Sequence, residues 1–145
     1  MFFISGEYES KLDSKGRLVL PSRIKSNLPS NSSEMILRKG DEPCLVLYPL
    51  LEYQKKYAQI RALSEFDENA RKLQRTYFMG INPVELDNMG RFVIPKPMLE
   101  HAQLQKEVKV IGMGDRIELW HPAVVMEYTV QDPQERSELN RRFLQ

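Results

Sequence analysis

Two spacings of apolar residues alternate along the chain. Leu18-Val19-Leu20, Met35-Ile36-Leu37 and Cys44-Leu45-Val46-Leu47 are short apolar runs bounded by turn-forming or charged residues, and Val108 to Ile111 and Ile117 to Trp120 repeat the pattern later. Runs this short do not make helices, so they read as buried strands. Residues 2 to 12 read as a further strand, aromatic and β-branched at its start, with Gly6 as a candidate bulge. The second spacing is helical: Leu50, Tyr53, Tyr57, Ile60 and Leu63 recur every three or four positions, one face of an amphipathic helix.

Turn chemistry joins the strands. Asp13 to Arg17 turns the first strand back into Leu18-Val19-Leu20 as a hairpin, Pro21 opens a short helix over Ser22 to Leu28, and residues 30 to 33 form a polar loop. Lys39-Gly40-Asp41-Glu42-Pro43 reads as the turn of a second hairpin, with Gly40 at positive φ. Asp67 is placed to cap a helix carrying Ala70, Leu73 and Tyr77 on its inner face. Helices are expected again from about Pro122 and after Asp132-Pro133, the last with only Leu139, Phe143 and Leu144 as an apolar face. Docking of that helix on a neighbouring subunit and simple fraying both stay open.

The first turn is written twice. Leu12-Asp13-Ser14-Lys15-Gly16-Arg17-Leu18-Val19-Leu20-Pro21 returns, 74 positions on, as Leu86-Asp87-Asn88-Met89-Gly90-Arg91-Phe92-Val93-Ile94-Pro95. Gly6 falls on Gly80 at the same offset, and Gly40-Asp41 on Gly114-Asp115, with the second copy opening around Tyr77. A period this long marks one duplicated unit and not a solenoid. Each copy is four short strands around a small helix, which makes the class α+β.

Composition narrows the functional classes without choosing among them. The 41% apolar fraction of 145 residues allows one shared core, and no apolar run approaches the roughly 20 residues of a membrane span. The Met1-Phe2-Phe3-Ile4 start has no basic n-region, so secretion is not expected, and the lone Cys44 fits a reducing compartment. A net charge of +1 does not by itself point to nucleic acid. Its distribution does more. Residues 11 to 25 hold Lys11, Lys15, Arg17, Arg23 and Lys25 against Asp13 alone, whereas residues 85 to 99 balance Arg91 and Lys96 with Glu85 and Asp87.

That basic copy draws attention to its turn. Asp13 can accept backbone N–H groups two residues on, Gly16 can take the left-handed conformation, and Arg17 can pair with Asp13 and be held pointing past the hairpin, with Lys15 at the tip. A held guanidinium reads phosphate or guanine with little further loss of rotamer freedom. The plain alternative is that Asp and Arg only staple the turn. His101, His121 and Cys44 are too few and scattered for zinc, Asp41 and Asp115 are explained as turn residues, and no phosphate loop or catalytic triad is suggested. Neither an enzyme nor a cofactor or metal is expected, and the tyrosines and leucines of residues 50 to 63 are expected to serve core or subunit contacts. A structural ring or protein scaffold without DNA binding is the alternative to a DNA-binding regulator.

The doubled Leu-Asp-x-x-Gly-Arg string, with Cys44-Leu45-Val46-Leu47-Tyr48-Pro49 and the segments Ile111-Gly112 and Glu118-Leu119-Trp120, resembles the MraZ family, tandem-repeat relatives of the SpoVT and AbrB swapped-hairpin proteins. The resemblance covers nearly the whole chain. It implies two interleaved repeats, 7–54 and 81–126, forming one pseudo-symmetric β-barrel, with connecting helices over 55–80 and a C-terminal helix over 127–145. It also implies a cytoplasmic, nucleoid-associated regulator. Such a protein assembles as a homo-oligomeric ring, commonly an octamer, and binds short direct repeats in double-stranded DNA upstream of the cell-division and cell-wall gene cluster. Carried over residue by residue, the family turn falls on Asp13, Gly16 and Arg17 and again on Asp87, Gly90 and Arg91, making Lys15, Arg17, Arg23 and Arg91 the expected DNA contacts. The second copy departs at Met89, Pro97 and Leu99, where the first has Lys15, Arg23 and Lys25. Lys15 and Arg17 are therefore expected to dominate, with Asp87 and Arg91 chiefly organising a turn.

Overall fold

The computed structural model describes residues 3–29 and 33–144, so residues 30 to 32 of the expected polar loop lie outside the described residues. The first copy runs β1 (Ile4–Lys11), β2 (Arg17–Val19), α1 (Ser22–Ser26), β3 (Glu34–Lys39) and β4 (Leu45–Pro49). The second repeats that order as β5 (Ile81–Glu85), β6 (Arg91–Val93), α4 (Lys96–His101), β7 (Glu107–Gly114) and β8 (Ile117–Trp120). Between them lie α2 (Leu50–Arg61) and α3 (Glu68–Met79), and after them come α5 (Pro122–Val125), a 3-10 turn (Met126–Tyr128) and α6 (Pro133–Phe143).

The copies are interleaved. Six strands form one sheet in the order β1-β7-β8-β4-β3-β5, and β2 pairs with β6 in a separate ribbon. Exchanging each strand for its partner in the other copy reverses the six-strand order onto itself, which is the pseudo-twofold symmetry that duplication requires. β1 of the first copy lies on β7 of the second, and β5 of the second lies on β3 of the first. Physical necessity favours this arrangement, because an isolated two-stranded hairpin is marginal in water and a three-residue strand still more so.

Interleaving corrects the first expected hairpin. β1 and β2 share only the Leu12–Leu18 bridge as ladder pairing, supplemented by Ser10 Oγ donating to the Val19 carbonyl at 2.7 Å, since each finds a longer or better covered partner in the other copy. The expected bulge at Gly6 is also absent: the register from Ile4↔Gly114 to Lys11↔Glu107 is unbroken through Gly6↔Gly112. The β3–β4 hairpin forms as expected, but Gly40 is not among the positive-φ glycines. Space is the constraint there, because a Cβ on Gly40 would stand 2.6 Å from Cys44 Sγ.

One core fills the space between sheet and ribbon. Leu18, Leu20, Phe92 and Ile94 from the ribbon side meet Leu37, Leu45, Leu47, Val108, Ile117 and Leu119 from the sheet, all nearly inaccessible. Burying a side chain of this size contributes about 1.5–3 kcal/mol, so the two copies hold each other together. A smaller cluster of Cys44, Val46, Tyr48, Trp120 and Val125 lies on the other side of the sheet.

The helices after the strands are less committed. Asp67 caps α3 by accepting from the Asn69 and Ala70 N–H groups at 2.8 and 3.0 Å, as expected. The helix then runs to Met79, so Tyr77 to Met79 belong to it and not to the opening strand of the second copy. Its expected inner face is rotated: Leu73 is exposed, while Gln74 turns inward and donates to the Ile60 and Leu63 carbonyls. The backbone ends of α2 needed those donors more than they needed a leucine. None of the residues of α2, α3 or α6 is fully buried. Among the described residues no helix is long and apolar enough to cross a membrane.

Candidate nucleic-acid interface

The two turns close with the same hydrogen bonds. Asp13 Oδ1 accepts from the Lys15 and Arg17 N–H groups, both at 2.9 Å, and Oδ2 accepts from Arg17 Nε at 2.7 Å. Asp87 Oδ1 accepts from the Met89 and Arg91 N–H groups, again both at 2.9 Å, and Oδ2 accepts from Arg91 Nε at 2.8 Å. Gly16 and Gly90 sit at φ 76° and 78°, a conformation that costs an L-residue with a Cβ about 1–2 kcal/mol. Both aspartate carboxyls are held below the usual carboxylate range, chiefly by the backbone N–H of the arginine four residues on, against an opposing effect of desolvation.

Each turn is also clamped by the other copy. Leu20 N–H donates to the Gly90 carbonyl at 3.0 Å, and Ile94 N–H donates to the Gly16 carbonyl at 2.9 Å, so the ribbon's ladder continues into both turns. Helix α1 lies beside the second turn and α4 beside the first: Lys25 Nζ donates to the Asn88 carbonyl at 2.7 Å, while Leu99 approaches Gly16. Lys25, which the sequence counts with the first copy, thus delivers its charge to the second turn. In space the two turns differ less in charge than their sequence windows do.

The ribbon decides where the arginines point. Arg17 pairs with Val93, Leu18 with Phe92 and Val19 with Arg91. Residues directly opposite share a face, and alternate residues lie on opposite faces. Leu18 and Phe92 are buried beneath, so Arg17, Val19, Arg91 and Val93 form the outward face, with the valines 41% and 55% exposed. The arginines stand at opposite corners of this patch. Each spends only its Nε on aspartate, and among the described residues neither guanidinium's Nη groups carry an intramolecular hydrogen bond.

Lys15 and Arg23 are exposed, Lys15 at the tip of the first turn and Arg23 on α1. Of the expected contacts, Arg17 and Arg91 are brought together on one surface, and Lys15 projects from its edge. The outward valines were missed, although their period-two spacing with the arginines was visible in the sequence. The histidines are used locally: His101 Nε2 lies 3.0 Å from the Gly40 carbonyl, and His121 Nδ1 accepts from the Ala123 N–H at 3.0 Å as the cap of α5. Burial pushes the Cys44 thiol up to about 12, which leaves it a packing residue at neutral pH.

Comparison with known proteins bears on the doubled turn directly. A family model described as "MraZ protein, putative antitoxin-like" matches residues 3–76 and again 77–144, its two matches starting at the same offset as the two turns. This chain belongs to the MraZ family. It is 47% identical over 145 residues to the transcriptional regulator MraZ of Cytophaga hutchinsonii, covering 99% of this chain and 96% of that protein. The proteins of the same name from Halothermothrix orenii and Clostridium acetobutylicum are 39% and 38% identical, over 79% and 85% of this chain and 78% and 84% of theirs. The MraZ family is one of transcriptional regulators and not of enzymes. Its internal duplication corresponds here to the two interleaved copies that share one ribbon.

Proposed function

We propose that the chain is a sequence-specific DNA-binding regulator that presents its β2–β6 ribbon to the major groove. The observation that carries this reading is the pair of aspartate-held arginines on the outward face of that ribbon, whose Nη groups carry no intramolecular hydrogen bond among the described residues. A two-stranded ribbon fits a groove about 12 Å wide, and the guanidinium fork matches guanine O6 and N7 as well as phosphate. Lys15 and Arg17 make the larger contribution, Arg91 a smaller one, and Arg23 reaches the flanking backbone. Asp13, Gly16, Asp87 and Gly90 keep both turns in shape.

The near-neutral charge of a single chain favours many weak contacts acting together, and a ring of identical subunits, an octamer in our reading, supplies them on short direct repeats. The repeats would lie upstream of the protein's own operon in the cell-division and cell-wall cluster, and the protein would act in the cytoplasm at the nucleoid. In this reading 7–54 and 81–126 are the DNA-binding repeats, 55–80 the connecting helices and 127–145 the C-terminal helix. The six-stranded sheet is open at β1 and β5 and the ribbon is a separate sheet, joined to it by the Leu12–Leu18 bridge; in our reading sheet and ribbon together stand for the pseudo-symmetric β-barrel.

The test is fluorescence anisotropy with DNA from just upstream of the protein's own gene, carrying one or several direct-repeat copies. Binding should strengthen sharply with copy number and fall steeply with salt as counterions are released. If the DNA is ignored even at low salt, the ring is a scaffold and the reading fails.

A further inference from the structure

On the sheet face away from the ribbon, the β3–β4 hairpin and the α2–α3 pair line a partly open cavity of about 190 Å³. It is lined by four phenol rings, Tyr48, Tyr53, Tyr57 and Tyr77, by Arg38 and Lys56, and by Gln59 and Ile60, and among the described residues no carboxylate lines it. The Arg38 side chain is only 18% exposed, yet its nearest carboxylate, Asp41, stands 3.8 Å away and is itself 83% exposed. Arg38 Nη1 donates to the Lys39 carbonyl at 3.2 Å, and the guanidinium lies 5.7 Å from the Tyr77 ring centroid. A guanidinium has five N–H donors, and since among the described residues no fully buried side-chain nitrogen lacks a partner, the Arg38 donors not used within the protein remain accessible to a ligand. Lys56 Nζ stands 5.9 Å from the Tyr48 ring centroid at the same cavity.

The phenols give the site a shape as well as a lining. Tyr53 and Tyr57 stack with centroids 6.2 Å apart and planes 26° from parallel, and Tyr57 meets Phe78 edge-on. Burial holds the Tyr53 phenol protonated beyond its ordinary range, so it remains a donor.

Duplication does not account for this cavity. The position matching Arg38 in the second copy is Gly112, whose place against β1 is so close that a Cβ would stand 2.6 Å from the Ser5 backbone nitrogen. The other copy's aromatic cluster is closed instead by Tyr128, whose ring lies 5.3 Å from that of Trp120. Arg38 and Tyr48 come from the first copy, and Tyr53, Lys56, Tyr57 and Tyr77 from the helices that connect the copies, so the site is not repeated in the second copy.

We propose that this cavity is a binding site for a small single-ring aromatic carboxylate. The ring lies among the tyrosine faces, the carboxylate takes the Arg38 donors, and Lys56 closes over it. The cavity is smaller than the roughly 300–1,000 Å³ of drug-sized sites, so a single ring is what it can surround, its mouth being open to solvent.

The experiment is calorimetric titration of the full chain with benzoate, with benzyl alcohol as the neutral analogue and phenyl phosphate as a second anion, all at matched ionic strength. Benzoate should bind once per chain and raise the melting temperature, benzyl alcohol should bind at least about tenfold more weakly, and Lys56→Met and Arg38→Met should each weaken benzoate by about tenfold. Lys56 is exposed on α2, so its variant keeps the test valid if Arg38→Met fails to fold. Equal binding of benzoate and benzyl alcohol, or benzoate affinity unchanged in Lys56→Met, would overturn the proposal. So would an absence of heat and of melting shift at millimolar benzoate, which would mean that another protein surface covers the cavity. Tighter binding of phenyl phosphate, lost in the same variants, would overturn the carboxylate assignment.

Discussion

The two turns are matched in geometry and unmatched in chemistry. Every hydrogen bond that the Asp13 side chain makes, the Asp87 side chain makes again to within 0.1 Å. The tips nonetheless carry Lys15 in one and Met89 in the other, and the helix packed beside each turn brings Leu99 to the first and Lys25 to the second. Backbone-fixing residues were retained in both copies because the ribbon needs both turns to close. The positions free of that duty diverged. A turn's shape and its charge are therefore separable properties, and substitutions can address each one.

The largest expected effect tests the charge side. Arg17→Ala should cost about 1–3 kcal/mol of operator binding per contact, with Arg91→Ala costing less, as measured by anisotropy on folded variants. Equal losses would erase the ranking of the two turns and leave two equivalent readers. Next comes shape: Gly16→Ala and Gly90→Ala should each lower urea stability by about 1–2 kcal/mol, because both sites lie at positive φ. Gly90→Ala should be the worse, since its Cβ would meet Lys25 Cδ at 3.0 Å, whereas nothing approaches a Cβ on Gly16 closer than 3.5 Å.

Met89→Lys should sharpen the comparison by making the second tip resemble the first. It should raise affinity for all DNA sequences and steepen the salt dependence by about one unit per subunit engaged, visible in log–log salt titrations. Lys25→Met removes the donor to the Asn88 carbonyl and should cost about 0.5–1.5 kcal/mol of stability by urea unfolding. The smallest effect is with pH. Both aspartates have folded pKa values lowered from the ordinary carboxylate value, so their contribution is present above that value and is lost as pH falls through the folded pKa. Acid unfolding followed by circular dichroism should show Asp13→Asn and Asp87→Asn removing similar shares of that dependence.

Much of this was legible in one dimension because local chemistry repeats. The Asp-x-x-Gly-Arg strings named both turns and both aspartate–arginine pairs, and Asp67 and Asp132 marked the caps they form. Misreadings arose where partners are distant. Leu12 and Leu18 looked like the start of a hairpin ladder and form a single bridge, because β6 outcompetes β1 for β2. Leu73 has helical spacing with Tyr77 but lost its inward place to Gln74, whose amide meets carbonyls eleven and fourteen residues earlier. Lys25 was counted with its neighbours in sequence and acts across to Asn88.

The sequence alone determined that a unit of four strands and a short helix occurs twice, and that each copy carries an aspartate-held arginine on a glycine turn. Hydrogen bonds across four residues depend on residue type and little else. Tertiary structure alone decided that the two arginines share one outward face, that Lys25 serves the opposite turn, and that Arg38 faces four tyrosines. Those outcomes follow from strand exchange between the copies and from the packing of the connecting helices, where marginal pieces choose partners by the apolar surface they bury together.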